Sequence, residues 1–290
     1  MKINKYILLH FIILLWGFTP VLGKLISLQA LDLVWWRLVF AAVSLLAFIF
    51  YKKIALAISI KQLALILCMG IAVGMHWYFF YHAIKVSNVS IALAGFSTIT
   101  LFASFMQPLL LGKKFFWGDT LYGVFIFVGL AIILHYEGLA LEGLMYGILA
   151  AITGAFFGIY NGKLIEKHDS AIITFFEFTG ALVLISLLKL FEGKDYFIPS
   201  LSMKDLIYLL ILSIACTTLA FTLSVEILKQ FSPFTVIITN NLEPVYGIVF
   251  SVLLFGQSEI MSRGFYIGAG ILLFTVFTYP LFKKKFMYAA

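Results

Sequence analysis

Residues 38–50 read Leu-Val-Phe-Ala-Ala-Val-Ser-Leu-Leu-Ala-Phe-Ile-Phe, a run with no charge and no turn former. Because its apolar residues are continuous and do not alternate with polar ones, the run predicts a membrane helix and not a strand of a closed barrel. The composition points the same way. Of the 290 residues, 63% are hydrophobic and only 11% are charged, which excludes a water-soluble fold. We therefore predict an all-α membrane protein.

Charged residues and turn formers divide the chain into ten apolar segments, each about as long as a bilayer-crossing helix. They are residues 6–25, 31–51, 63–84, 89–111, 117–135, 143–164, 172–190, 205–228, 234–256 and 265–282. The eighth and ninth segments are separated only by Lys229–Pro233, where serine followed by proline favours a new helix start. Ten spans use nearly the whole chain and leave no room for a soluble domain.

Lysine and arginine are divided unevenly between the two sets of loops. With the N-terminus in the cytoplasm, the external basic residues are Lys24, Lys85, Lys189, Lys194, Lys204 and Arg263. All the other lysines are then internal. Arg37, the remaining basic residue, lies within a segment. The positive-inside rule therefore predicts that both termini are cytoplasmic. The same bias accounts for the net charge of +7, so we expect no nucleic-acid partner.

The two halves of the chain resemble each other in order. Three short stretches recur: Gly23–Ile26 as Gly162–Ile165, Ala83–Lys85 as Ile227–Lys229, and Leu111–Gly112 as Phe255–Gly256. A drift of the spacing in one direction is what a duplication with small insertions would produce. We therefore expect two five-helix repeats, over residues 1–140 and 141–290. Since five is odd, the second repeat is inverted in the membrane, and a central cavity is expected between the halves.

Several short motifs resemble a known family. They are Trp16-Gly17, Trp36-Arg37-Leu38, Asn241-Leu242-Glu243-Pro244 and Leu253-Leu254-Phe255-Gly256. With the ten segments and the repeat, they resemble EamA-type members of the drug/metabolite transporter superfamily over nearly the whole chain. The resemblance implies a ten-helix secondary carrier of the bacterial inner membrane, often an exporter of amino acids or other small metabolites.

The chain also departs from that family pattern. Where the family often has Gly-Glu after the fourth and ninth helices, this chain has Gly112-Lys113 and Gly256-Gln257. Thr100 stands where the repeat aligns with Pro244. These departures leave the fold expectation intact but weaken the transfer of a particular substrate or coupling ion.

Arg37 and Glu177 occupy matching positions in the two repeats. Because the second repeat is inverted, they are expected at opposite depths, about 12 Å apart along the membrane normal, too far for a direct ion pair. Each therefore needs another partner or water. Arg37 is a candidate substrate-binding residue and Glu177 a candidate coupling or gating residue; a structural role remains open for both.

Glu243 is expected near the midplane, with Asn240 on the same helix face and Asn241 adjacent. Pro244 removes a backbone donor and opens the preceding turn, freeing carbonyl groups that could line a path. We predict that these three polar side chains bind substrate and that Glu243 also handles a coupling proton. The alternative is that they form polar contacts between helices.

Two matched stripes lie at i, i+4 and i+8, Gly74–Tyr78–His82 and Thr218–Thr222–Glu226, and both are predicted to face the shared axis. His82 and Glu226 fall near opposite membrane surfaces, which suits gating or simple interfacial anchoring. His76 lies deeper and is a candidate for substrate binding. His76 and His82 are six residues apart, so one straight helix cannot present both to one ion, and we expect no metal site.

Trp16, Tyr78 and Phe96 are candidates for an apolar wall against the substrate, although ordinary packing explains them as well. No phosphate-binding loop is present, because Gly112-Lys113-Lys114 lacks the upstream glycine and the Ser/Thr that such a loop needs.

The sequence thus predicts a non-enzymatic secondary transporter that exports small organic metabolites by alternating access, without a cofactor. Its expected partners are a small-molecule substrate (an amino acid or metabolite), the lipid bilayer and protons as the candidate coupling ion, and we expect a monomer or weak dimer. The alternatives are an intramembrane enzyme or lipid-handling protein, and a passive facilitator of the same fold.

Overall fold

The computed structural model describes residues 4–112, 118–137, 140–193, 198 and 200–287. These residues form ten helices, as the sequence predicts. Their bounds are α1 Lys5–Leu25, α2 Ala30–Lys52, α3 Ile60–Val86, α4 Val89–Leu111, α5 Gly118–Tyr136, α6 Leu141–Leu164, α7 Ser170–Phe191, α8 Met203–Ile227, α9 Pro233–Ser258 and α10 Arg263–Met287. Eight of them are long and apolar enough to cross a membrane, and α5 and α10 contain the shorter apolar stretches Tyr122–Tyr136 and Arg263–Thr275.

The start of α9 shows why the eighth and ninth helices are separate. Pro233 occupies the first turn, where its missing N–H costs no hydrogen bond. The Ser232 hydroxyl accepts a hydrogen bond from the Thr235 amide at 3.2 Å and caps the new helix. The short connection between α8 and α9 is therefore a genuine helix boundary.

Three helices are interrupted within the bundle. Helix α1 breaks at Phe18, α4 breaks at Ser97–Thr98, and α9 breaks at Asn240–Asn241. The break in α9 precedes Pro244, but the turn there is not open as predicted: the Asn241 and Glu243 amides donate to the Ile238 and Asn240 carbonyl oxygens at 3.2 and 2.8 Å, which closes a tight turn. Helix α8 remains continuous but contains a π-helical turn, Ile214–Leu219. Because α4 and α9 hold the same place in the two repeats, their breaks are related by the repeat.

The helix ends define two ends of the bundle. We call the end at which α1 begins the proximal end; it carries the α2–α3, α6–α7 and α8–α9 connections. The opposite end, the distal end, carries the α1–α2, α3–α4 and α9–α10 connections. Of the lysines that predict the orientation, Lys2, Lys113, Lys114 and Lys194 lie outside the described residues.

Glycines allow close packing between helices. A Cβ on Gly70 of α3 would lie 2.3 Å from the Glu177 carbonyl oxygen, and one on Gly180 of α7 would lie 2.2 Å from the Leu67 carbonyl oxygen. The α3 and α7 backbones therefore touch directly, as small residues permit in membrane bundles. The first piece of α4, Val89–Phe96, is buried at every one of its eight residues.

Candidate functional site

One cavity lies between the two repeats. It is lined by residues of α1, α2, α3, α4, α6, α8 and α9. Arg37, His76 and Glu243 form its deep polar part, whereas Leu228 and Pro233 line it where α8 and α9 meet at the proximal end. The cavity therefore extends from the bundle centre toward the proximal end.

Arg37 is buried, with 3% of its surface exposed, and it is held by three neutral groups. Its Nε donates to the Thr217 hydroxyl at 2.7 Å and its Nη1 donates to the Tyr81 hydroxyl at 3.0 Å. The guanidinium carbon lies 3.9 Å from the centroid of the Trp77 ring, a cation–π contact. Two hydrogen bonds and one ring contact fix the guanidinium plane and leave Nη2 outside both bonds.

The π-helical turn of α8 helps to place Thr217. Its hydroxyl donates at 2.7 Å to the carbonyl oxygen of Leu212, five residues earlier. The Thr217 hydroxyl oxygen also accepts the hydrogen bond from Arg37 Nε. Single π turns are frequent at functional sites, and here the turn orients the group that holds the buried cation.

Glu243 lies in the first turn of the second piece of α9, Leu242–Phe255, and is 7% exposed. It lines the cavity together with Arg37, and the two charges attract each other electrostatically. Among the described residues, its carboxylate takes part in no ion pair and accepts no side-chain hydrogen bond. The cavity thus holds a guanidinium and a carboxyl group that are not paired with each other.

His76 presents one nitrogen to a backbone carbonyl. Its Nδ1 lies 2.7 Å from the Ala150 carbonyl oxygen, and since a carbonyl only accepts, Nδ1 carries the proton. The room for this bond depends on Gly154, where a Cβ would approach Nδ1 to 3.2 Å. The ring also packs against Phe96 and Phe157, with centroids at 5.6 and 5.4 Å. Nε2 is left as the polar atom for a ligand.

The two asparagines before Glu243 have different surroundings. Asn240 lines the cavity. Asn241 is fully buried, and its Nδ2 donates a short hydrogen bond to the Thr100 hydroxyl just after the break in α4. Asn241 therefore joins the two interrupted helices and does not line the cavity.

Known proteins share this architecture. The sequence profile of the EamA-like transporter family matches residues 4–135 and 141–279, one match for each half. The chain belongs to the EamA-like transporter family. One solved crystal structure covers 99% of this chain and 99% of its own, with 11% sequence identity and a TM-score of 0.70, which supports the fold alone. No curated protein matches the chain.

In this EamA-like transporter, Trp16 and Phe96 line the cavity as the sequence suggested, but Tyr78 and His82 do not. The His82 ring lies 4.3 Å from the Tyr146 ring of α6, and its Nε2 lies 3.9 Å from Glu142. The predicted orientation of the α3 stripe is therefore corrected. At 100° per residue, the cavity-facing side of α3 is instead the one that holds His76, Trp77 and Phe80.

The α8 stripe also points elsewhere. The Thr218 hydroxyl lies 2.8 Å from that of Ser44 and binds the Ala41 carbonyl oxygen on α2. Glu226 lies at the proximal surface and pairs with Lys229 at 2.8 Å. The cavity-facing residues of α8 include Phe221 and Ser224, which sequence analysis did not select.

Glu177 lies behind the cavity wall and makes no contact with Arg37. It is 0% exposed, and its Oε2 accepts a hydrogen bond from Asn161 Nδ2 at 3.3 Å. Asn161 itself lines the cavity. Sequence analysis passed over Asn161, although an amide inside the apolar α6 is a signal that could have identified it.

At the distal end, a set of polar contacts is centred on Glu259, which has no exposed surface. Its carboxylate accepts hydrogen bonds from Lys24 Nζ at 2.7 Å and from the Val89 and Ser90 amides at 3.1 and 3.0 Å. It therefore ties the end of α1 to the start of α4. We call these four residues the distal seal.

Proposed function

We propose that the protein is a secondary transporter that exports small zwitterionic metabolites, amino acids or close relatives, by alternating access. The observation that carries this proposal is that Arg37 and Glu243 line one cavity without pairing with each other. A zwitterion supplies one group for each of them: a carboxylate for the arginine and an ammonium for the glutamate.

The rest of the cavity suits an organic side chain. Trp16, Phe96 and Phe157 offer apolar ring surface, while His76 Nε2 and Asn240 offer polar atoms. Such a mixture, mostly apolar with a few fixed polar groups, is typical of small-molecule sites. Interrupted helices at the repeat interface are also usual where transporters bind substrate.

Two features support the proposed direction: the lysine distribution and the extension of the cavity toward the proximal end. In this proposal the membrane is the bacterial inner membrane, and the positive-inside rule assigns the proximal end to its cytoplasmic side. The cavity extends to that end, and the distal seal closes the other. In this state the carrier would load from the cytoplasm, as an exporter does.

The energy would come from an ion gradient, since the sequence has no phosphate-binding loop. Glu243 is the candidate proton carrier, because its carboxylate lies in the cavity and could bind either a proton or the substrate ammonium. A passive facilitator of the same fold would show exchange without any gradient dependence.

The test is counterflow in proteoliposomes that contain the purified protein. Vesicles are preloaded with an unlabelled amino acid, and uptake of the labelled compound is followed over a panel of zwitterions, with carboxylate-only and amine-only analogues as controls. We expect transient accumulation of zwitterions and at least a tenfold weaker signal from either analogue. No counterflow across the panel, or equal counterflow of the one-charge analogues, would reject the proposal.

A further inference from the structure

Three oxygen atoms near the proximal end of the cavity have no hydrogen-bond partner. They are Glu177 Oε1, Asn161 Oδ1 and Thr174 Oγ1. Their residues are 0%, 2% and 0% exposed. Buried polar atoms are nearly always paired in proteins, so three unpaired oxygens on neighbouring residues call for an explanation.

The three residues lie together. The Asn161 amide contacts the Glu177 carboxylate through the 3.3 Å bond from Nδ2 to Oε2. Thr174 precedes Glu177 by three residues on α7, which puts both side chains on one helix face with Cβ atoms about 5 to 6 Å apart. The Asn161–Glu177 hydrogen bond thus joins α6 to α7, and Thr174 lies about one turn earlier on the same face of α7.

In the described part of the chain, the Glu177 carboxyl group has a single polar partner. Among the described residues, Asn161 is the only side chain that bonds the Glu177 carboxylate, and no basic side chain pairs with it. An isolated buried carboxylate is costly, and a bound cation removes that cost. The neighbouring Asn161 lines the cavity, so an ion could reach the carboxylate from there.

We propose that Glu177, Asn161 and Thr174 form a Na⁺ site beside the substrate cavity. The ligand set consists of hard oxygen donors, which suit a hard cation. With a single carboxylate it matches one positive charge, whereas Ca²⁺ sites use several acidic ligands. A proton on Oε1 could satisfy only one other acceptor, while a metal ion can accept lone pairs from all three oxygens.

The experiment measures ion binding to the purified full-length protein in Na⁺-free nanodiscs. Binding of radioactive ²²Na⁺ is titrated, and the thermal midpoint is followed with NaCl, KCl or choline chloride. We expect saturable ²²Na⁺ binding and a midpoint that rises with Na⁺ concentration, because a ligand that binds only the folded state stabilises it. Equal stabilisation by K⁺ or choline, or no saturable Na⁺ binding, would overturn the proposal.

Matched variants locate the site. Glu177→Gln and Thr174→Val keep the side-chain shape and should each weaken Na⁺ binding at least tenfold, whereas Thr174→Ser keeps the hydroxyl and should bind Na⁺ within twofold of the parent protein. Ser251→Ala removes another buried, unpaired hydroxyl, on α9, and should leave the Na⁺ affinity unchanged. Parent-like Na⁺ affinity in Glu177→Gln would overturn the assignment. If that variant does not fold, equal affinities of Thr174→Val and Thr174→Ser would do so.

Na⁺ occupancy does not depend on the substrate, so this test stands apart from the counterflow assay. Saturable Na⁺ binding with no counterflow would keep the ion site and reject the transport proposal. Counterflow without Na⁺ binding would keep the transport proposal and reject the ion site.

Discussion

Among the residues that the structure describes, no acidic side chain forms an ion pair with the buried Arg37 guanidinium. The protein compensates with the Trp77 ring and the hydroxyls of Thr217 and Tyr81, which use the planar, multi-donor shape of the guanidinium. A lysine at this position would keep the charge but could not reproduce both hydrogen bonds and the ring contact. The site therefore requires the shape of the arginine side chain at position 37 as well as its positive charge.

We predict that Arg37→Lys lowers zwitterion counterflow by at least tenfold while the protein still folds. The misplaced ammonium would no longer present donors to a substrate carboxylate in a fixed plane. The measurements are counterflow and thermal unfolding, with Arg263→Lys at the exposed start of α10 as the matched control. Parent-like counterflow in Arg37→Lys would show that the site needs only a positive charge.

Glu243→Gln is expected to abolish the dependence of transport on a pH gradient. The amide has nearly the same shape, but it cannot take up and release a proton. Uptake is measured in proteoliposomes with and without an imposed gradient. Glu226→Gln removes an exposed carboxylate outside the cavity and should keep the parent response. Unchanged coupling in Glu243→Gln would remove Glu243 from this role.

At the scale of elements, the contact between α3 and α7 depends on glycine. Gly70 faces the Glu177 carbonyl oxygen and the Gly180 Cα. A Cβ added to Gly70 would lie 2.3 Å from the first atom and 2.9 Å from the second. Because both obstacles are backbone atoms, no side-chain rotation can relieve the clash. The two helices would have to separate, and the interior of the bundle tolerates such overpacking poorly.

Gly70→Ala is therefore expected to destabilise the protein by about 1 to 3 kcal/mol, the usual cost of overpacking. Gly270→Ala is the matched control, because a Cβ there meets nothing within 4 Å. The free energies of unfolding are compared by chemical denaturation in the same detergent. A Gly70→Ala protein as stable as Gly270→Ala would mean that α3 and α7 can move apart without cost.

The interrupted helices show what sequence can and cannot predict. Pro244 predicts the break in α9, because proline lacks the backbone N–H that would donate to the preceding turn. In α4 the Ser97 and Thr98 hydroxyls donate instead to the Ala94 and Gly95 carbonyl oxygens, at 2.7 and 2.8 Å. Such bonds compete with the helix ladder, yet similar bonds occur in unbroken helices of this chain, as at Thr179. Serine and threonine alone therefore do not reveal the break.

The rotations of α3 and α8 were parts of the site that the sequence did not determine. The apolar residues of α3 cover all of its faces, so periodicity gives no direction toward the cavity. His76 and Tyr78 are two residues apart, about 200° around the helix, and only His76 lines the cavity. By contrast, Arg37, Asn240 and Glu243 were found from polarity alone, because a polar group inside a membrane bundle needs a partner or a cavity.

At the scale of the whole molecule, the distal seal connects the two repeats, because Glu259 follows α9 whereas Lys24, Val89 and Ser90 belong to α1 and α4. Four hydrogen bonds converge on the Glu259 side chain, from Lys24 Nζ, the Val89 and Ser90 amides and the Ser90 hydroxyl. To open the cavity at this end, these four hydrogen bonds would have to break and be replaced by hydrogen bonds to water. Weakening the seal should therefore shift the population toward the state that is open at the distal end.

We predict that Glu259→Gln increases access to the cavity from the distal side by at least fivefold. The probe is Phe80→Cys, at a cavity-lining position, in a protein without its natural Cys68 and Cys216. A membrane-impermeant thiol reagent is applied to the distal side of oriented proteoliposomes, and the labelling rate is measured. Glu226→Gln at the proximal surface should leave the rate unchanged. An unchanged rate in Glu259→Gln would show that other contacts hold this end closed.

The complete burial of Val89–Phe96 has a consequence for how lipids can influence the protein. All eight residues contact protein and none presents a face to the acyl chains. In the proposed alternating-access cycle, this half-helix would exchange one set of protein neighbours for another, because it has no lipid-facing surface. A thicker or thinner bilayer can therefore act on it only through the helices that surround it.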